Sequence, residues 1–600
     1  MAKPLVRAAF AALVLATIVA FFVTQQLKSE FPLVLRFAAG PADISPNGDG
    51  FRDSSRLGFD LSSPAKITFS IVDGEGNDVR RLVDNRQLAG DVKYRYTWDG
   101  RDDDRAVVRD GEYTMRVVRR DEGRVINSIK KVDVDTRPPQ VAITSARPGV
   151  IAPGEPGQDP RVRIRYRGPR NEAPEFRIFR TDDGPARVVA RFRGGPSRSA
   201  LWHGSVRGRP AAAGSYAFTV TVRDRAGNRA VAPADIPTAA SARPGTGVLV
   251  RKLDLRGPLG VVAAGSLARL EVGPFERSFD FALARLGSRR VVRKGGRIGG
   301  RFRVKIPRRA KTGVFVVRVR AARRRAQWPL VVAGLPQTRR AANRPRPLVV
   351  LPTLSWQGHN AVDDDVDGFP DTLDRGRVRL ARPFARGALP SGFRSQVSPL
   401  LRFLDRERLG YDLTTDLALE MGDGPALGNA PGVAFAGSAR WLPQRLERRL
   451  RRYAEGGGRV ASFGSDAFRR PVPLSRGVAG PAPAPRPQNV FGERTHRLLR
   501  TSAAPLVVED DRLGLFGGAD RFVGEFRTFE PSAALPRGIE SLTAAGRDPG
   551  EPDFVAYRLG KGIVVRAGTP QWAGQLSESA LGVEVPRAMK RIWRLLSFAR

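Results

Sequence analysis

Apolar and polar residues alternate with a period of two through most of residues 37–334. Lys66–Val72, Tyr94–Trp98 and Tyr113–Val118 show this alternation, and Gly, Pro and Asp residues separate such segments. A period of two places successive side chains on opposite faces of a strand, and helical periodicity is missing through most of the region. The pattern therefore predicts consecutive all-β modules of the sandwich type.

A repeated motif indicates how many modules there are. Trp98-Asp99-Gly100 precedes Gly111-Glu112-Tyr113, and Trp202-His203-Gly204 precedes Gly214-Ser215-Tyr216. Each Gly-x-Tyr is predicted to open the last strand of its module, and its Trp and Tyr side chains are expected in the core or at a corner. Proline breaks a strand ladder, so proline-containing segments are predicted boundaries. The predicted sandwiches are residues 37–135, 136–240 and 247–334, divided at 135–139 and 241–246.

The N-terminus is a long apolar run. No charged residue occurs between Arg7 and Lys28, and Lys3 and Arg7 precede the run. Its length is close to what spans a bilayer, and the preceding charges favour a cytoplasmic N-terminus. A cleaved signal peptide is the alternative, but a small-x-small cleavage site is missing at the exit. Residues 1–30 are therefore predicted to be an uncleaved signal anchor, which crosses the cell membrane once and leaves the bulk of the chain extracytoplasmic.

The periodicity changes after a basic, proline-containing linker at 339–347. Short apolar runs such as Leu348–Leu351 and Val433–Ala436 alternate with amphipathic segments such as Ser398–Arg408 and Pro443–Glu455. Strands that alternate with helices predict a mostly parallel sheet. Residues 347–600 are therefore predicted to form an α/β doubly wound domain, so the whole chain is multidomain, with tandem β-sandwiches followed by this domain.

The composition of the chain excludes several kinds of site and limits its possible binding partners. The chain has 102 Lys and Arg against 60 Asp and Glu, a formal net charge of +42, and no cysteine. A thiol nucleophile, a thiolate metal site and a disulfide are therefore excluded. The positive charge is spread along the chain without the basic and aromatic pattern of a nucleic-acid interface, so specific nucleic-acid binding is not expected. Two interpretations of the positive charge stay open: an arginine-rich composition typical of proteins from GC-rich genomes, or binding to an anionic polymer of the cell envelope or to a protein partner there.

An acidic segment lies shortly after the first apolar run of the C-terminal region. Counted from Asp363, carboxylates fall at positions 1, 3, 5, 9 and 12, and Gly368 falls at position 6. This is the oxygen-ligand spacing of a calcium loop, which also uses a backbone carbonyl at position 7. An acidic, solvated turn is the alternative interpretation. The predicted calcium ligands are Asp363, Asp365, Asp367, Phe369, Asp371 and Asp374.

A family resemblance appears in the first sandwich. Ser45-Pro46-Asn47-Gly48-Asp49-Gly50, then Trp98-Asp99-Gly100-Arg101-Asp102 and Gly111-Glu112-Tyr113, resemble the Ig-like domain of flagellar hook-capping (FlgD-like) proteins and many bacterial surface proteins. The resemblance covers about residues 37–135. It implies an Ig-like fold and says nothing about activity.

A second resemblance covers residues 347–600. Leu351–Asn360, Leu409–Asp416 and the segment from Val433 through Trp441 to Gly458 are similar, in this order, to elements of the C-terminal domain in the large (beta) chain of N,N-dimethylformamidase. That family is related to class I glutamine amidotransferase-like folds, so the resemblance implies a flavodoxin-like or amidotransferase-like sheet. It also implies amide hydrolysis at a mononuclear iron that tyrosine and glutamate side chains hold.

This chain departs from the family at the iron motif. Family members show His-Pro-Glu-Tyr-Trp after the middle strand, whereas this chain has Gly437-Ser438-Ala439-Arg440-Trp441. His359 also replaces a tyrosine commonly found after the Trp-Gln pair. No catalytic residue is therefore carried over, and iron is not expected. The amidotransferase reaction fails as well, because its nucleophile is a cysteine.

The sequence thus favours a membrane-anchored extracytoplasmic protein with a β-sandwich stalk. Its degenerate dimethylformamidase-like head is expected to bind a ligand or an envelope partner without catalysis. The residues proposed to contact that ligand are His359, Asp416 and Glu420. The alternative is a cell-surface amide hydrolase whose active site is rebuilt from the same three side chains.

Overall fold

The computed structural model describes residues 3–27, 32–155, 158–169, 173–234, 236–251, 253–273, 278–322, 324–334, 345–518, 521–577 and 582–598. Most of the predicted linker at 339–347 lies outside these residues. The N-terminal helix spans Lys3–Leu27, and its exposed segment Pro4–Thr24 is long and apolar enough to cross a membrane. A signal sequence has the same properties, so the helix agrees with both interpretations of the N-terminus.

The three β modules share one topology. In each, a three-stranded sheet faces a larger sheet, in which a short early strand runs parallel to the last strand of the module. Alternate residues of these strands point into an apolar core between the two sheets. The prediction of tandem Ig-like sandwiches is therefore confirmed.

The strands of the first sandwich are Val34–Gly40, Asp43–Ile44, Ser55–Leu61, Ala65–Val72, Asp78–Leu88, Val92–Trp98, Gly111–Arg119 and Arg124–Val134. Those of the second are Ala142–Arg147, Val150–Ile151, Val162–Arg167, Glu175–Arg180, Arg187–Arg193, Ser199–Trp202, Ser205–Val206, Arg209–Pro210, Gly214–Arg223, Arg229–Ala232 and Val248–Val250. Those of the third are Leu255–Arg256, Val261–Ala263, Leu267–Val272, Ser278–Arg285, Val291–Ile298, Arg301–Lys305, Gly313–Ala321 and Arg324–Ala333.

The end of the second sandwich differs from the prediction. Val248–Val250 pairs with both Gly214–Arg223 and Val150–Ile151, so this strand completes the second sandwich. The predicted boundary at 241–246, with a third module from 247, is therefore wrong. Proline interrupts strands within a module as well as between modules, so it did not mark the boundary. The Gly-x-Tyr motif also does not open the last strand of its module: one strand follows Gly111–Arg119 in the first sandwich, and two strands follow Gly214–Arg223 in the second.

The repeated Trp and Tyr residues build a corner in each of the first two sandwiches. The Tyr113 hydroxyl donates to the Arg109 carbonyl at 2.7 Å, and the Tyr216 hydroxyl donates to the Ala212 carbonyl at 2.8 Å. The Trp98 ring packs 5.2 Å from the Tyr113 ring. This is the tyrosine corner of Ig-like folds, so the motif is structural.

Residues 345–598, called the head below, are built on a nine-stranded sheet among the described residues. Its parallel part runs, in spatial order, through Asp412–Thr415, Leu348–Leu351, Gly432–Phe435, Arg459–Ser462 and Gly562–Arg566. Its antiparallel part continues through Phe554–Leu559, Ser541–Gly546, Leu499–Asp511 and Phe522–Phe529. Because four antiparallel strands extend the sheet, the predicted doubly wound domain is not evident as a whole.

Helices and short strands surround this sheet. The α-helices of the head are Thr353–Gly358, Ser398–Arg406, Asp416–Met421, Gln444–Glu455 and Glu584–Ser597. The peripheral strands are Val378–Arg379, Trp441–Pro443, Arg470–Val472, Leu474–Ser475, Val478–Ala479, Arg494–Thr495 and Ser532–Ala534. Short helical turns of the head lie at Ala385–Gly387, Phe393–Val397, Leu427–Asn429 and Trp572–Leu576, and a further one, Arg120–Glu122, connects two strands of the first sandwich.

One apolar core joins the head to the third sandwich. The cluster runs from Phe281 and Trp328 of the sandwich to Phe384 and Trp593 of the head. The rings of Trp328 and Phe384 lie 4.7 Å apart. A guanidinium nitrogen of Arg285 also donates to the Asp405 carboxylate across the junction at 2.9 Å. The third sandwich is therefore packed as part of the head.

Candidate functional site

A crevice lies where two parallel strands of the head meet. The chain passes from Leu348–Leu351 to a strand on one side of it, and then returns to Gly432–Phe435 on the other side. Such a reversal of strand order leaves an opening at the carboxyl ends of the strands, where α/β sheets bind ligands. A cavity of about 560 Å³ lies there, lined by Pro352, Gly437 and Ser465, which follow three neighbouring strands.

A short helix forms one wall of the crevice. Thr353–Gly358 starts after Pro352 and places Trp356 and His359 in the cavity lining. The Asp416 carboxylate holds the start of this helix, because it accepts hydrogen bonds from the Thr353 hydroxyl and the Leu354 amide. Asp416 is fully buried, and burial raises its pKa to about 7. It therefore supports the wall and does not line the crevice.

Glu420 has a second supporting role. Its carboxylate accepts hydrogen bonds from the backbone amides of Arg445 at 3.3 Å and Leu446 at 2.7 Å. Those amides lie in the first turn of the helix Gln444–Glu455, where they have no partner within the helix. Of the three predicted ligand-contacting residues, the structure thus brings only His359 to the crevice.

His359 lies against Trp441, with ring centroids 4.4 Å apart. His359 is exposed and belongs to the lining of the crevice. Desolvation by the crevice walls, together with the positive charges of Arg440 and Arg470, lowers its pKa to about 4. His359 is consequently a neutral imidazole at pH 7 and adds no charge to the crevice.

Ser438 follows the strand Gly432–Phe435 but is not arranged as a nucleophile. Its amide donates to the Gln396 side chain at 2.9 Å, and its hydroxyl oxygen accepts from the Ser465 amide at 3.1 Å. The hydrogen bonds of the described residues give this hydroxyl no histidine partner. An activated serine needs an adjacent base, so the serine supports the crevice wall.

Arginines that the sequence analysis did not identify surround the opening. Arg440, Arg469, Arg470 and Arg497 all line the cavity. The side chains of Arg440 and Arg470 are only 27% and 13% exposed. They share one counter-ion, Asp374, whose Oδ1 lies 3.0 Å from Arg440 Nη2 and also accepts from Arg470. These residues come from separate segments, so no local spacing could have indicated them.

The predicted calcium loop brings three of its carboxylates together. One oxygen each from Asp363, Asp365 and Asp371 lies within 4.8 Å of the others. Burial and the neighbouring carboxylates raise the pKa of Asp363 to about 8 and that of Asp367 to about 6, although backbone amides also donate to both groups. Asp374, the predicted sixth ligand, is not among them, because it is bound to the crevice arginines.

The acidic loop, defined as residues 363–371, is packed against the second sandwich. The amides of Gly245 and Gly247 donate to the carbonyls of Asp365 and Val366 at 3.1 and 2.8 Å. A Cβ at Gly368 (φ +94°) would lie 2.9 Å from the Ala217 Cα, so only glycine fits this contact. The loop therefore joins the head to the second sandwich.

Two family models match parts of the chain. The N,N-dimethylformamidase beta subunit-like, C-terminal domain (DMFA2_C) matches residues 300–513, and the FlgD Ig-like domain matches residues 45–123. The first match begins inside the third sandwich, in agreement with the core that this sandwich shares with the head. Both resemblances found in the sequence are thereby supported, whereas the relation to glutamine amidotransferase-like folds is not. No curated protein matches the chain.

Several solved structures are similar in part. Escherichia coli alpha-2-macroglobulin activated by porcine elastase is 12% identical over 52% of this chain and 32% of its own, with a TM-score of 0.18. The titin I67–I69 variant is 11% identical over 49% and 95%, with a TM-score of 0.21. The human OSCAR ligand-binding domain is 18% identical over 32% and 92%, with a TM-score of 0.19.

Proposed function

We propose that this chain is a membrane-anchored extracytoplasmic protein whose head binds a ligand in the crevice without transforming it. The proposal depends on the position of Arg440. This residue lines the crevice, and it lies in the segment where the dimethylformamidase-like family has acidic and phenolic metal ligands. Its guanidinium packs over Trp441 at 5.1 Å and pairs with Asp374. A guanidinium stays protonated and repels a metal cation, so the site does not fit iron.

The other charged groups of the crevice support binding over catalysis. Asp466 pairs with Arg440 at 3.3 Å, and Glu530 is paired with the buried Arg566 at 3.5 Å. A general base has to reach the proton that it removes, whereas these carboxylates are held by cations. The cavity, about 560 Å³, has a size typical of small-molecule sites.

We also propose that the parallel part of the sheet is a doubly wound, flavodoxin-like or amidotransferase-like unit. Successive residues of its strands enter two different apolar clusters. Val349 and Leu351 pack with the helices Ser398–Arg406 and Glu584–Ser597, whereas Leu348 and Val350 pack with Gln444–Glu455. Helices that cover both faces of a parallel sheet support this interpretation.

The acidic loop is proposed to bind calcium through Asp363, Asp365 and Asp371, with Asp367 and the Phe369 carbonyl as further ligands. Convergent carboxylates are the hard oxygen donors that calcium prefers. Burial, followed by the charge of Asp367, raises the pKa of Asp363, and a bound cation would offset both causes. Asp374 would have to leave Arg440 and Arg470 to join them. Because the loop contacts the second sandwich, a bound ion would stiffen the connection between that sandwich and the head.

Enzymatic inactivity can be tested on the full chain in detergent micelles. We expect metal analysis to find no stoichiometric iron and a panel of small amides to show no turnover above buffer. Iron that copurifies at one equivalent, together with turnover that His359→Ala abolishes and Arg448→Gln retains, would overturn the proposal in favour of an amide hydrolase. Arg448 is a suitable control because it is exposed on the helix Gln444–Glu455 and does not line the crevice.

Anchoring is tested separately on cell fractions. We expect the intact chain to stay with membranes during carbonate extraction and to be released by detergent, because one apolar helix would cross the bilayer. A protease added outside intact cells should degrade the sandwiches. Release of a shorter chain that lacks the N-terminal helix would instead indicate a cleaved signal peptide.

A further inference from the structure

The crevice carries more positive than negative charge. Its four lining arginines face two carboxylates that pair with them, those of Asp374 and Asp466. Glu530 is a third carboxylate of the lining, and the buried Arg566 that it contacts is shared with Glu493. His359 is neutral at pH 7, as its low pKa indicates. The four arginines therefore outnumber the carboxylates of Asp374, Asp466 and Glu530 by one, and this excess lies in a half-enclosed space, where charges are screened less than on an open surface.

The arginines also have unused donors. The Nε atom of Arg470 is buried, and none of the described residues accepts a hydrogen bond from it. Arg497 is exposed at the rim of the cavity. A guanidinium offers a planar set of donors that matches the two oxygens of a carboxylate or phosphate group.

The segment that carries two of these arginines has an unusual backbone. Asp466 and Phe468 both adopt left-handed conformations, with φ values of 50° and 64°. A buried phenylalanine rarely occupies this region, and here its ring is held by Phe435 at 4.7 Å and Phe491 at 5.7 Å. Such a conformation persists only where the surrounding packing imposes it, and it is concentrated at functional sites. In this turn it presents Arg469 and Arg470 to the cavity.

We propose that the crevice is an oxyanion site, in which Arg440, Arg470 and Arg497 bind the carboxylate or phosphate group of an amphipathic ligand. Trp356, Val397 and Leu498 line the same cavity and would contact the apolar part of that ligand. This inference rests on the proposed binding function and adds the chemical class of what is bound. The anionic group can belong to a small molecule or to the end of an envelope polymer.

Isothermal titration calorimetry on the full chain in micelles tests the site with phenyl phosphate and benzoate as anionic probes, and with benzamide as an uncharged probe of similar shape. We expect at least one anion to bind, benzamide to bind at least tenfold more weakly, and affinity to fall as salt is added. Arg470→Gln and Arg497→Gln should each weaken anion binding about tenfold or more, whereas Arg448→Gln should leave it unchanged. Because the Arg497 side chain is exposed to solvent, Arg497→Gln is the variant that should disturb folding least.

Competition with long-chain polyphosphate distinguishes an anionic group on a small molecule from one at the end of a polymer. Competition between polyphosphate and phenyl phosphate would show that the crevice accepts the end of a polymer. Binding of phenyl phosphate without such competition would indicate a small ligand. Both results support the oxyanion site. The inference is overturned if neither anion binds, or if Arg470→Gln and Arg497→Gln bind as well as the wild type. Benzamide that binds as tightly as the anions, without turnover, would refute the oxyanion site alone, whereas amide turnover would refute the proposed function.

Discussion

The acidic loop and the arginine crevice are two charged regions of the same head, and they are built in opposite ways. The carboxylates of the loop come from one continuous stretch, repel one another and are held by backbone amides and by the second sandwich. The crevice is lined by residues from several distant segments, which the order of the parallel strands brings together, and its arginines form ion pairs with carboxylates. We expect changes in the loop to act locally and changes beneath the crevice to affect the whole head.

The largest effect is expected for Trp441, which is fully buried beneath Arg440 and His359. Trp441→Ala should lower the free energy of unfolding of the head by about 3–5 kcal/mol, because a large cavity remains. Trp441→Phe should cost less, about 1–2 kcal/mol, since Nε1 donates to none of the described residues. Urea unfolding followed by circular dichroism measures both. Equal costs for the two variants would mean that the crevice does not depend on this core.

The second effect concerns the loop. Calcium at a free concentration of about one hundred times its dissociation constant should stabilise the wild type by about 2.7 kcal/mol, and EDTA should reverse this. The double variant Asp363→Asn, Asp365→Asn should show no such gain in calorimetry. Asp183→Asn is the matched control, because Asp183 is an acidic residue of the second sandwich that pairs with Arg386 of the head. A calcium response that survives in the double variant would place the ion elsewhere.

The third effect is a pH dependence of the crevice wall. The folded-state pKa of Asp416, about 7, lies above its ordinary value of 3.8, so the folded chain binds the proton more tightly than the unfolded chain. Its contribution to stability is complete below about pH 4 and is lost as the pH rises towards 7. Asp416→Asn should therefore flatten the change in the urea midpoint between pH 5 and pH 7.5. An unchanged slope would show that Asp416 titrates normally.

The smallest effect is local to His359. Its imidazole should titrate near pH 4 in the wild type, as measured by NMR of histidine-labelled protein. Arg440→Gln should raise this pKa, but not to 6.5, because desolvation is a larger cause than the Arg440 charge. Asp365→Asn serves as the loop control and should leave the titration nearly unchanged. A wild-type pKa near 6.5 would show that the crevice is well hydrated.

The loop and the crevice also differ in whether their residues are close together in the sequence, and this decides what could be predicted. The sandwiches and the acidic loop were predictable because alternation, the Trp and Tyr motif and the carboxylate spacing are local patterns. The crevice arginines were not, since Arg440, Arg470 and Arg497 meet only through the strand order of the sheet. Local spacing also assigned Asp374 to the loop, although distant arginines bind it. Asp416 and Glu420 were misleading because a carboxylate that accepts backbone amides has the same sequence signature as one that faces a ligand.

Asp374 connects these two regions through a single side chain. It lies at the end of the loop sequence, and Oδ1 of its carboxylate binds both Arg440 and Arg470. One carboxylate cannot neutralise two guanidinium groups and also complete the shell of a cation. Any cation that recruits Asp374 thus unmasks positive charge in the crevice, and any anion that replaces Asp374 there frees it for the cation. The two occupancies are therefore thermodynamically linked, and this linkage is necessarily reciprocal.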